Sequence, residues 1–348
     1  MELNNIKKIL IVNLGGIGDL LLSFPAIKPL KEKYVGCSFD AFVVERAVGL
    51  SRDFKVFDNV FAYRPGIFAM LKLFVRLRNN HYDLVINMRT MVSRLGALKM
   101  YGVFKIINGR ISAGRDTQKR GFFLDIKIPE TEPGEKYEME YDIDTVRALG
   151  VEVRDKRIDF SPGLKSEREV NGVLQDHGIN ADDILVGIHP GGMPSRRWPL
   201  ENFLEVIKKT AEVRPVKFVV TGSVSESNLA QALVKAQGAN IIDMTGRFDV
   251  QQMFALIKRC DLFISNDTGP MHIAAILKTP LIAIFGPGQL IRFDPRVISD
   301  KAVVLYKKSD CAPCNKEECR SMKCLKAIAP DEVVKIVLEL LNRKKCGG

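Results

Sequence analysis

The stretch Leu262-Phe-Ile-Ser-Asn-Asp-Thr-Gly-Pro-Met-His-Ile-Ala-Ala275 joins a short apolar run to a small polar turn and then to a helical pattern. This order predicts a buried strand, a tight turn and the start of a helix. The first N–H groups of a helix lack partners and carry the positive end of its dipole, so the Asp267-Thr-Gly269 turn is suited to a phosphate. A capped helix end without a ligand is the alternative. Asp-Thr-Gly also marks aspartic proteases, but that class needs an all-β setting.

The same alternation of apolar runs and helical patterns continues on both sides of this stretch and predicts βαβ units on parallel sheets. The predicted strands cover residues 9–12, 39–44, 60–63, 84–87, 184–189, 216–221, 262–265 and 281–285. The pattern breaks in Phe160-Ser-Pro-Gly-Leu-Lys165, which is typical of a linker. We therefore expect an α/β protein with two Rossmann-like domains, at residues 1–165 and 166–348, and a C-terminal helix that can pack back on the first domain.

Length and apolar content fit two globular domains, since 348 residues with 46% hydrophobic content exceed the usual size of a single core. The longest apolar runs, such as residues 9–12 and 281–285, fall far short of the roughly 20 residues of a membrane span. The N-terminus lacks the apolar segment of a signal peptide. We expect a cytoplasmic protein.

Positive charge is concentrated in one part of the chain, whose net charge is +11. Between Arg64 and Arg120 there are twelve basic residues and two acidic ones. Such a stretch predicts contact with nucleic acid, an acidic membrane or a phosphorylated acceptor, unless it is a solvated face. Nucleic acid is disfavoured, because the stretch has neither zinc-finger spacing nor an RNP-like aromatic motif.

The first loop at a predicted strand end is Asn13-Leu-Gly-Gly-Ile-Gly-Asp-Leu20. Its glycine spacing is compressed relative to a dinucleotide fingerprint, and Glu45 is the nearest candidate for a ribose partner, so the loop is weak support for NAD. Asp19 is a carboxylate at a helix start. It is either a partner of the helix dipole or a general base in a cleft.

Two further loops follow strands in the second half of the chain. In His189-Pro-Gly-Gly-Met-Pro-Ser-Arg-Arg-Trp198, the glycines allow backbone access, and Arg196 and Arg197 offer guanidinium forks to phosphate oxygens. In Thr221-Gly-Ser-Val-Ser-Glu226, the carboxylate accepts from ribose hydroxyls or caps the next helix. We expect Trp198 to pack in the core.

Four stretches carry a family resemblance: Ile9-Leu-Ile-Val-Asn-Leu-Gly-Gly-Ile-Gly-Asp-Leu20, Gly187-Ile-His-Pro-Gly-Gly192 with Arg196-Arg-Trp-Pro199, Ser265-Asn-Asp-Thr-Gly-Pro-Met-His272, and Phe285-Gly-Pro287. Together they resemble the ADP-heptose:lipopolysaccharide heptosyltransferase family, glycosyltransferase family 9. The resemblance implies a GT-B fold, in which two facing Rossmann-like domains with parallel sheets bind the acceptor and the nucleotide sugar. It also implies inverting, metal-independent transfer of a heptose or related sugar from an ADP-sugar to a hydroxyl of the lipopolysaccharide inner core, with no cofactor.

The resemblance assigns catalytic roles to Asp19 as base and to Arg196, which stands where the family usually has a lysine. The implied donor-binding residues are Gly191, Gly192, Glu226, Asp267, Thr268, Gly269 and His272. The predicted acceptor-binding residues are Gly16, Gly18, Arg115, Lys119 and Arg120. The expected partners are ADP-heptose or a similar nucleotide sugar, the inner-core acceptor and, transiently, the anionic inner-membrane surface, with no nucleic acid.

Neither metal-like motif of the chain predicts a metal site strongly. The spacing Cys311-x2-Cys314-x4-Cys319-x4-Cys324 could let four thiolates hold zinc, but it does not match common zinc frameworks. Thiols or local bridges are the preferred interpretation, and all three states stay open. The carboxylates of Asp142-Ile-Asp144 are two residues apart in a helical pattern and do not face each other, so we expect no metal.

Two other functions would use the same phosphate loops. A nucleotide-sugar epimerase of GT-B type would turn over donor without acceptor, and a non-catalytic nucleotide-sugar-binding protein would bind donor without any transfer.

Overall fold

The chain forms two compact units in a computed structural model that describes residues 3, 5–64, 66–132, 134–237, 240–314 and 316–343. The units are Met1–Ile158 and Asp159–Gly348. This division precedes the 165/166 boundary that the Pro-Gly break suggested, and the break instead leads directly into the first helix of the second unit at Leu164.

The first unit is built on a parallel six-stranded sheet in the order β3-β2-β1-β4-β5-β6. Its strands are β1 (Lys8–Asn13), β2 (Ser38–Val44), β3 (Asn59–Tyr63), β4 (Leu84–Asn87), β5 (Ile111–Thr117) and β6 (Ile126–Glu130). Its helices are α1 (Ile17–Lys33), α2 (Val48–Asp53), α3 (Ile67–Asn79), α4 (Arg94–Ile107) and α5 (Glu138–Ala148). The strand order reverses between β1 and β4, and open α/β sheets bind ligands beyond the carboxyl ends of strands at such a point.

The second unit repeats this topology, with the sheet order β12-β11-β10-β7-β8-β9. Its strands are β7 (Leu185–His189), β8 (Lys217–Val220), β9 (Ile241–Asp243), β10 (Leu262–Asn266), β11 (Leu281–Phe285) and β12 (Ala302–Tyr306). Its helices are α6 (Leu164–Asp176), α7 (Leu200–Val213), α8 (Ser227–Gln237), α9 (Val250–Arg259), α10 (Gly269–Ile276), α11 (Leu290–Phe293), α12 (Lys323–Lys326) and α13 (Pro330–Arg343). The order reverses between β7 and β10, so the loops after these strands share one edge.

Helices cover the sheets, which is why the strands found from sequence are continuous apolar runs. In β1, every residue from Ile9 to Val12 is fully buried. The C-terminal helix α13 packs on α7, and Val333 and Val337 lie in the core of the second unit. This helix is therefore part of the core of the second unit, and its packing on the first domain stays a prediction.

Sequence patterns missed several elements, among them β5 and α4. Strand β5, Ile-Ser-Ala-Gly-Arg-Asp-Thr, is mostly buried yet carries Arg115, so no apolar run marks it. Helix α4 begins at a capping serine, Ser93 Oγ, which accepts from Gly96 N at 3.0 Å. Within the described ranges, no helix is long and apolar enough to cross a membrane.

Candidate active site

Asp19 lies in the first turn of α1, at the carboxyl edge of the first sheet. Its Oδ2 accepts from the backbone N of Gly16 at 2.7 Å, and its Oδ1 is paired with Arg89 Nη1. The carboxylate is 18% exposed, so it is held in place but accessible. A Cβ added to Gly15 would lie 2.7 Å from Asp19 Cβ, so the glycine lets the loop close on this side chain.

Arg89 is a site residue that sequence reasoning did not single out, although it follows β4 at the same sheet edge. Burial lowers the pKa of its guanidinium, but the nearby carboxylates of Asp19 and Glu138 outweigh burial and raise that pKa above its ordinary value. Arg89 is therefore a permanent cation beside the Asp19 carboxylate.

A buried polar network supports the Asp19 loop from behind. Ser23 Oγ donates to Asp142 Oδ2 at 2.6 Å and accepts from Asn13 Nδ2 at 2.9 Å. Asn13 Oδ1 in turn accepts from Gly15 N at 3.1 Å. The loop is thus tied to α5 through side chains that are themselves buried.

Arg115 belongs to this network, which corrects its predicted place on an exposed, acceptor-facing surface. Its side chain is fully buried and its guanidinium is paired with Glu138 at 2.9 Å and with Asp142. These carboxylates raise the pKa of Arg115 against the effect of burial. For Asp142, burial is the larger effect and raises the pKa to about 6, while the charge of Arg115 acts in the opposite direction and lowers it. Arg115 is therefore a structural cation.

The other predicted acceptor residues are distributed differently. Gly18 is buried inside α1, whereas Gly16 at the helix start is partly accessible. Lys119 is exposed in the turn after β5, and Arg120 Nη1 donates to the carbonyl oxygen of Met91 at 3.0 Å. Of this set, Gly16 alone contacts the Asp19 carboxylate in the described contacts.

In the second unit, the loops after β7 and β10 are joined by two polar side chains. Arg196 Nη1 donates to Asp267 Oδ2 at 2.9 Å. Asn266 Nδ2 donates to the carbonyl oxygens of Pro190 at 2.9 Å and Gly191 at 3.0 Å, and its Oδ1 accepts from Trp198 N at 3.1 Å. Asn266 was not among the predicted site residues, although its position next to Asp267 was a signal for it.

Two glycines permit this close approach of loops. Gly192 has a φ of 108°, and an added Cβ there would overlap Thr268 Cγ2. Gly288 approaches Asp267 so closely that a Cβ would overlap its Oδ2. Thr268 is the residue before α10, and the positive end of that helix dipole therefore lies at Gly269.

Glu226 is tied to the same loop. Its carboxylate accepts from Gly192 N at 2.6 Å and from Ser223 N at 2.8 Å, and Arg197 Nη2 lies 3.6 Å away. Burial raises the pKa of Glu226, but these backbone hydrogen bonds dominate and hold it below its ordinary value. The structure thus shows the capping interaction, and a ribose contact stays a prediction.

Both histidines near this site are buried. His189 Nδ1 lies 3.0 Å from Thr221 Oγ1, and burial lowers the pKa of His189 to about 4, so the ring is neutral at pH 7. The ring of His272, in α10, packs edge-on against Phe293 with centroids 6.0 Å apart. The loops therefore bring together Arg196, Glu226, Asp267 and Thr268. His272 instead lies on the inner side of α10.

The cysteine-rich segment packs against these loops as free thiols. Cys311, Cys314, Cys319 and Cys324 form no disulfide, and Cys324 is buried. Cys314 N donates to the carbonyl oxygen of Pro287 at 2.9 Å, and Ser195 N donates to that of Glu317 at 3.0 Å. Across the described residues, no group of three or more His, Cys, Asp or Glu side chains is arranged to hold a metal ion.

The sequence matches the family model described as glycosyltransferase family 9 (heptosyltransferase) over residues 70–325, which is most of the chain. The chain belongs to this family. Membership places the protein among glycosyltransferases and not among the epimerases considered from sequence, and it confirms the resemblance carried by the four loop motifs.

Relatives of this glycosyltransferase extend over nearly its whole length. Lipooligosaccharide heptosyltransferase 2 of Campylobacter jejuni is 23% identical over 335 residues, which cover 94% of this chain and 96% of that protein. The solved structure of E. coli ADP-heptose LPS heptosyltransferase II has a TM-score of 0.74 and 20% identity, covering 97% of this chain and 99% of that one. The family 9 glycosyltransferase of Veillonella parvula has a TM-score of 0.76 and 21% identity, covering 99% of both. The expected α/β fold of GT-B type is confirmed.

Proposed function

We propose that this glycosyltransferase moves a heptose or related sugar from an ADP-sugar to a hydroxyl of the lipopolysaccharide inner core, with inversion at the anomeric carbon. The observation that carries the proposal is the Asp19 carboxylate, held at the ligand-binding edge of the first sheet by Gly16 and Arg89. The names of the relatives support the sugar and the acceptor class, since they include lipooligosaccharide and ADP-heptose LPS heptosyltransferases.

Asp19 is the proposed general base. Its ionised carboxylate takes the proton of the acceptor hydroxyl, whose oxygen then attacks the anomeric carbon on the face opposite the diphosphate. Attack from that face inverts the configuration. Arg89 orients the carboxylate through their ion pair, so one carboxylate oxygen is held in a fixed position beside the loop.

The second unit holds the donor in this proposal. Negative charge builds on the diphosphate as the glycosidic bond breaks, and Arg196 and the N-terminus of α10 at Gly269 stabilise it. Arg196 is 24% exposed, so a phosphate oxygen can approach its guanidinium beside Asp267. The neutral ring of His189 adds no charge to this pocket.

We further propose that transfer needs no divalent ion. The two carboxylates of the Asp-x-Asp motif already have other partners, because Asp142 is buried against Arg115 and Asp144 is paired with Lys136 at 2.8 Å. Arginine and helix-dipole charge would then replace the cation that other glycosyltransferases place on the diphosphate. The protein would work on the cytoplasmic side, in peripheral contact with the inner membrane that carries its lipid-linked acceptor.

The test is Asp19→Asn, with ADP-heptose as donor and lipopolysaccharide cores truncated at successive inner-core positions as acceptors. Asparagine can still accept from Gly16 N but cannot take a proton, so turnover should fall about a hundred- to ten-thousand-fold while ADP affinity is unchanged. Asp249→Asn is the matched control, because Asp249 caps α9 through Gln252 N at 2.8 Å. Turnover of Asp19→Asn within a few-fold of wild type would remove Asp19 from this role, and loss of transfer in EDTA would contradict metal independence.

A further inference from the structure

Helices α3 and α4 pack against each other in the first unit and present large apolar side chains to solvent. The exposed large apolar residues are Ile67, Phe68, Leu71 and Val75 on α3 and Leu95, Leu98 and Ile106 on α4. Phe68 is 88% exposed and Leu95 is 63% exposed. Isolated apolar residues on a surface need no explanation, but seven on two adjacent helices form a patch of the kind that marks an interaction site.

These side chains are not needed to anchor the helices. Helix α3 contacts the core of the unit through Leu77, which is fully buried, and α4 does so through Ala97, Phe104 and Ile107. The residues at positions 67, 68, 71 and 75 share a different face of α3, since residues three and four apart lie together on a helix. Both helices thus have a second apolar face that none of the described residues of the first unit covers.

The charge on the two helices has one sign. Their exposed basic residues are Lys72, Arg76, Arg78, Arg94, Lys99 and Lys105. Neither helix contains an aspartate or a glutamate. Lys72 directly follows Leu71, and Lys99 directly follows Leu98, so cations border the apolar side chains. An apolar helix face bordered by lysine and arginine is typical of helices that lie in the interface of an anionic membrane.

The two helices begin at the edge of the sheet that carries the candidate base. Helix α3 follows β3 and α4 follows β4, so both N-termini lie at the carboxyl edge of the parallel sheet, as does Asp19. The segment after β4 reaches that site directly through the ion pair of Arg89 with Asp19. If the first unit binds a partner through the N-terminal turns of α3 and α4, the sheet edge that carries Asp19 is therefore held close to that partner.

We propose that this surface, defined by the seven apolar and six basic residues above and called the α3–α4 face, docks on a phospholipid bilayer that contains anionic lipid. Phe68, Leu71 and Leu95 enter the headgroup and upper acyl region, while Lys72 and Lys99 contact lipid phosphates. A second copy of the chain is a poorer occupant, because a symmetric contact would oppose two acid-free, cationic faces. The inference does not rest on the proposed transfer reaction, since lipid binding is measured without either substrate.

The experiment is flotation of the full chain with vesicles of phosphatidylethanolamine and phosphatidylglycerol, compared with vesicles of phosphatidylcholine alone. Wild type should float with the anionic vesicles, bind the neutral ones at least about tenfold more weakly, and lose binding as salt is raised. The double variant Lys72→Gln, Lys99→Gln should weaken binding about 25-fold, at roughly fivefold for each charge near the surface. Phe68→Ser with Leu71→Ser should weaken it at least about tenfold even at low salt.

The matched control is Leu164→Ser with Val213→Ser, which removes equally exposed apolar side chains from the second unit and should leave binding unchanged. Insertion is tested directly by Phe68→Trp. Because Trp198 is buried, a blue shift on adding anionic vesicles would come from the new indole at position 68. This reporter also decides the question if a serine variant fails to fold by circular dichroism.

Three results would overturn the proposal. The first is equal or absent binding of wild type to both kinds of vesicle, and the second is no spectral shift from Phe68→Trp with anionic vesicles. The third is a loss of binding in the Leu164 and Val213 control as large as in the α3–α4 variants. Self-association in sedimentation velocity that disappears in Phe68→Ser with Leu71→Ser, without vesicle binding, would instead make a second copy the occupant.

Discussion

The substitution Arg115→Met should destabilise the first unit strongly, because it leaves two buried carboxylates without their cation. Arg115, Glu138 and Asp142 have side chains that are at most 1% exposed. Removing one partner from such a buried ion pair costs about 3–5 kcal/mol, whereas exposed pairs contribute little. Against a typical domain stability of about 5–15 kcal/mol, this is about a fifth or more of the total.

The loss should depend on pH through Asp142. Burial raises its pKa to about 6 in the folded protein, above the ordinary value of about 3.9 expected in the unfolded chain. A group with a raised pKa favours folding at low pH, and this contribution is lost as pH rises through the folded pKa. Arg115 lowers that pKa, so its removal raises it further. The loss of unfolding free energy in Arg115→Met, relative to wild type, should therefore be larger at pH 8 than at pH 5.

Urea unfolding followed by circular dichroism at both pH values measures the effect, and hydrogen exchange of peptides from β5 and α5 locates it. Tryptophan fluorescence is unsuitable, because the single tryptophan, Trp198, lies in the second unit. The control is Arg154→Met, which breaks an exposed pair with Glu152 and should produce no measurable change. A loss below about 1 kcal/mol at pH 8, or one that shrinks as pH rises, would refute the argument.

Two further predictions concern the second unit. Arg196→Ala should weaken ADP binding at least about tenfold by calorimetry, since it removes a charged hydrogen-bond donor. The control is Arg168→Ala on the exposed side of α6, which should leave ADP affinity unchanged. If the two variants bind ADP with equal affinity, Arg196 is excluded from the diphosphate site. Gly192→Ala should also lower ADP affinity, because the added Cβ is strained at a φ of 108° and overlaps Thr268, so the loop is displaced. The control is Gly172→Ala in α6, where an added Cβ meets nothing within 4 Å, and it should leave protein stability unchanged or raise it. Wild-type ADP affinity in Gly192→Ala would show that the loop conformation does not matter.

Much of the loop geometry at the carboxyl edge of the second sheet was determined by the sequence itself, because it depends on residues that are close along the chain. An apolar run, a small polar turn and a helical pattern specify β10, the Asp267 turn and α10 within a few residues of one another. The parallel arrangement then brings the ends of β7 and β10 to one edge, so Arg196 and Asp267 could be expected to meet. The same local logic placed Asp19 in the first turn of α1.

The tertiary structure alone decided which charges are buried and which face solvent. Arg115 lies in a basic stretch, and its composition suggested an exposed surface; its partners Glu138 and Asp142 are 23 and 27 residues away in sequence. The charge of a side chain does not reveal whether a distant helix will cover it, since burial depends on packing that no local pattern encodes. The opposite holds for the apolar residues of α3, which the sequence alone would allow to face the core. In the folded unit Leu77 packs inward, and Phe68 and Leu71 are therefore left in solvent.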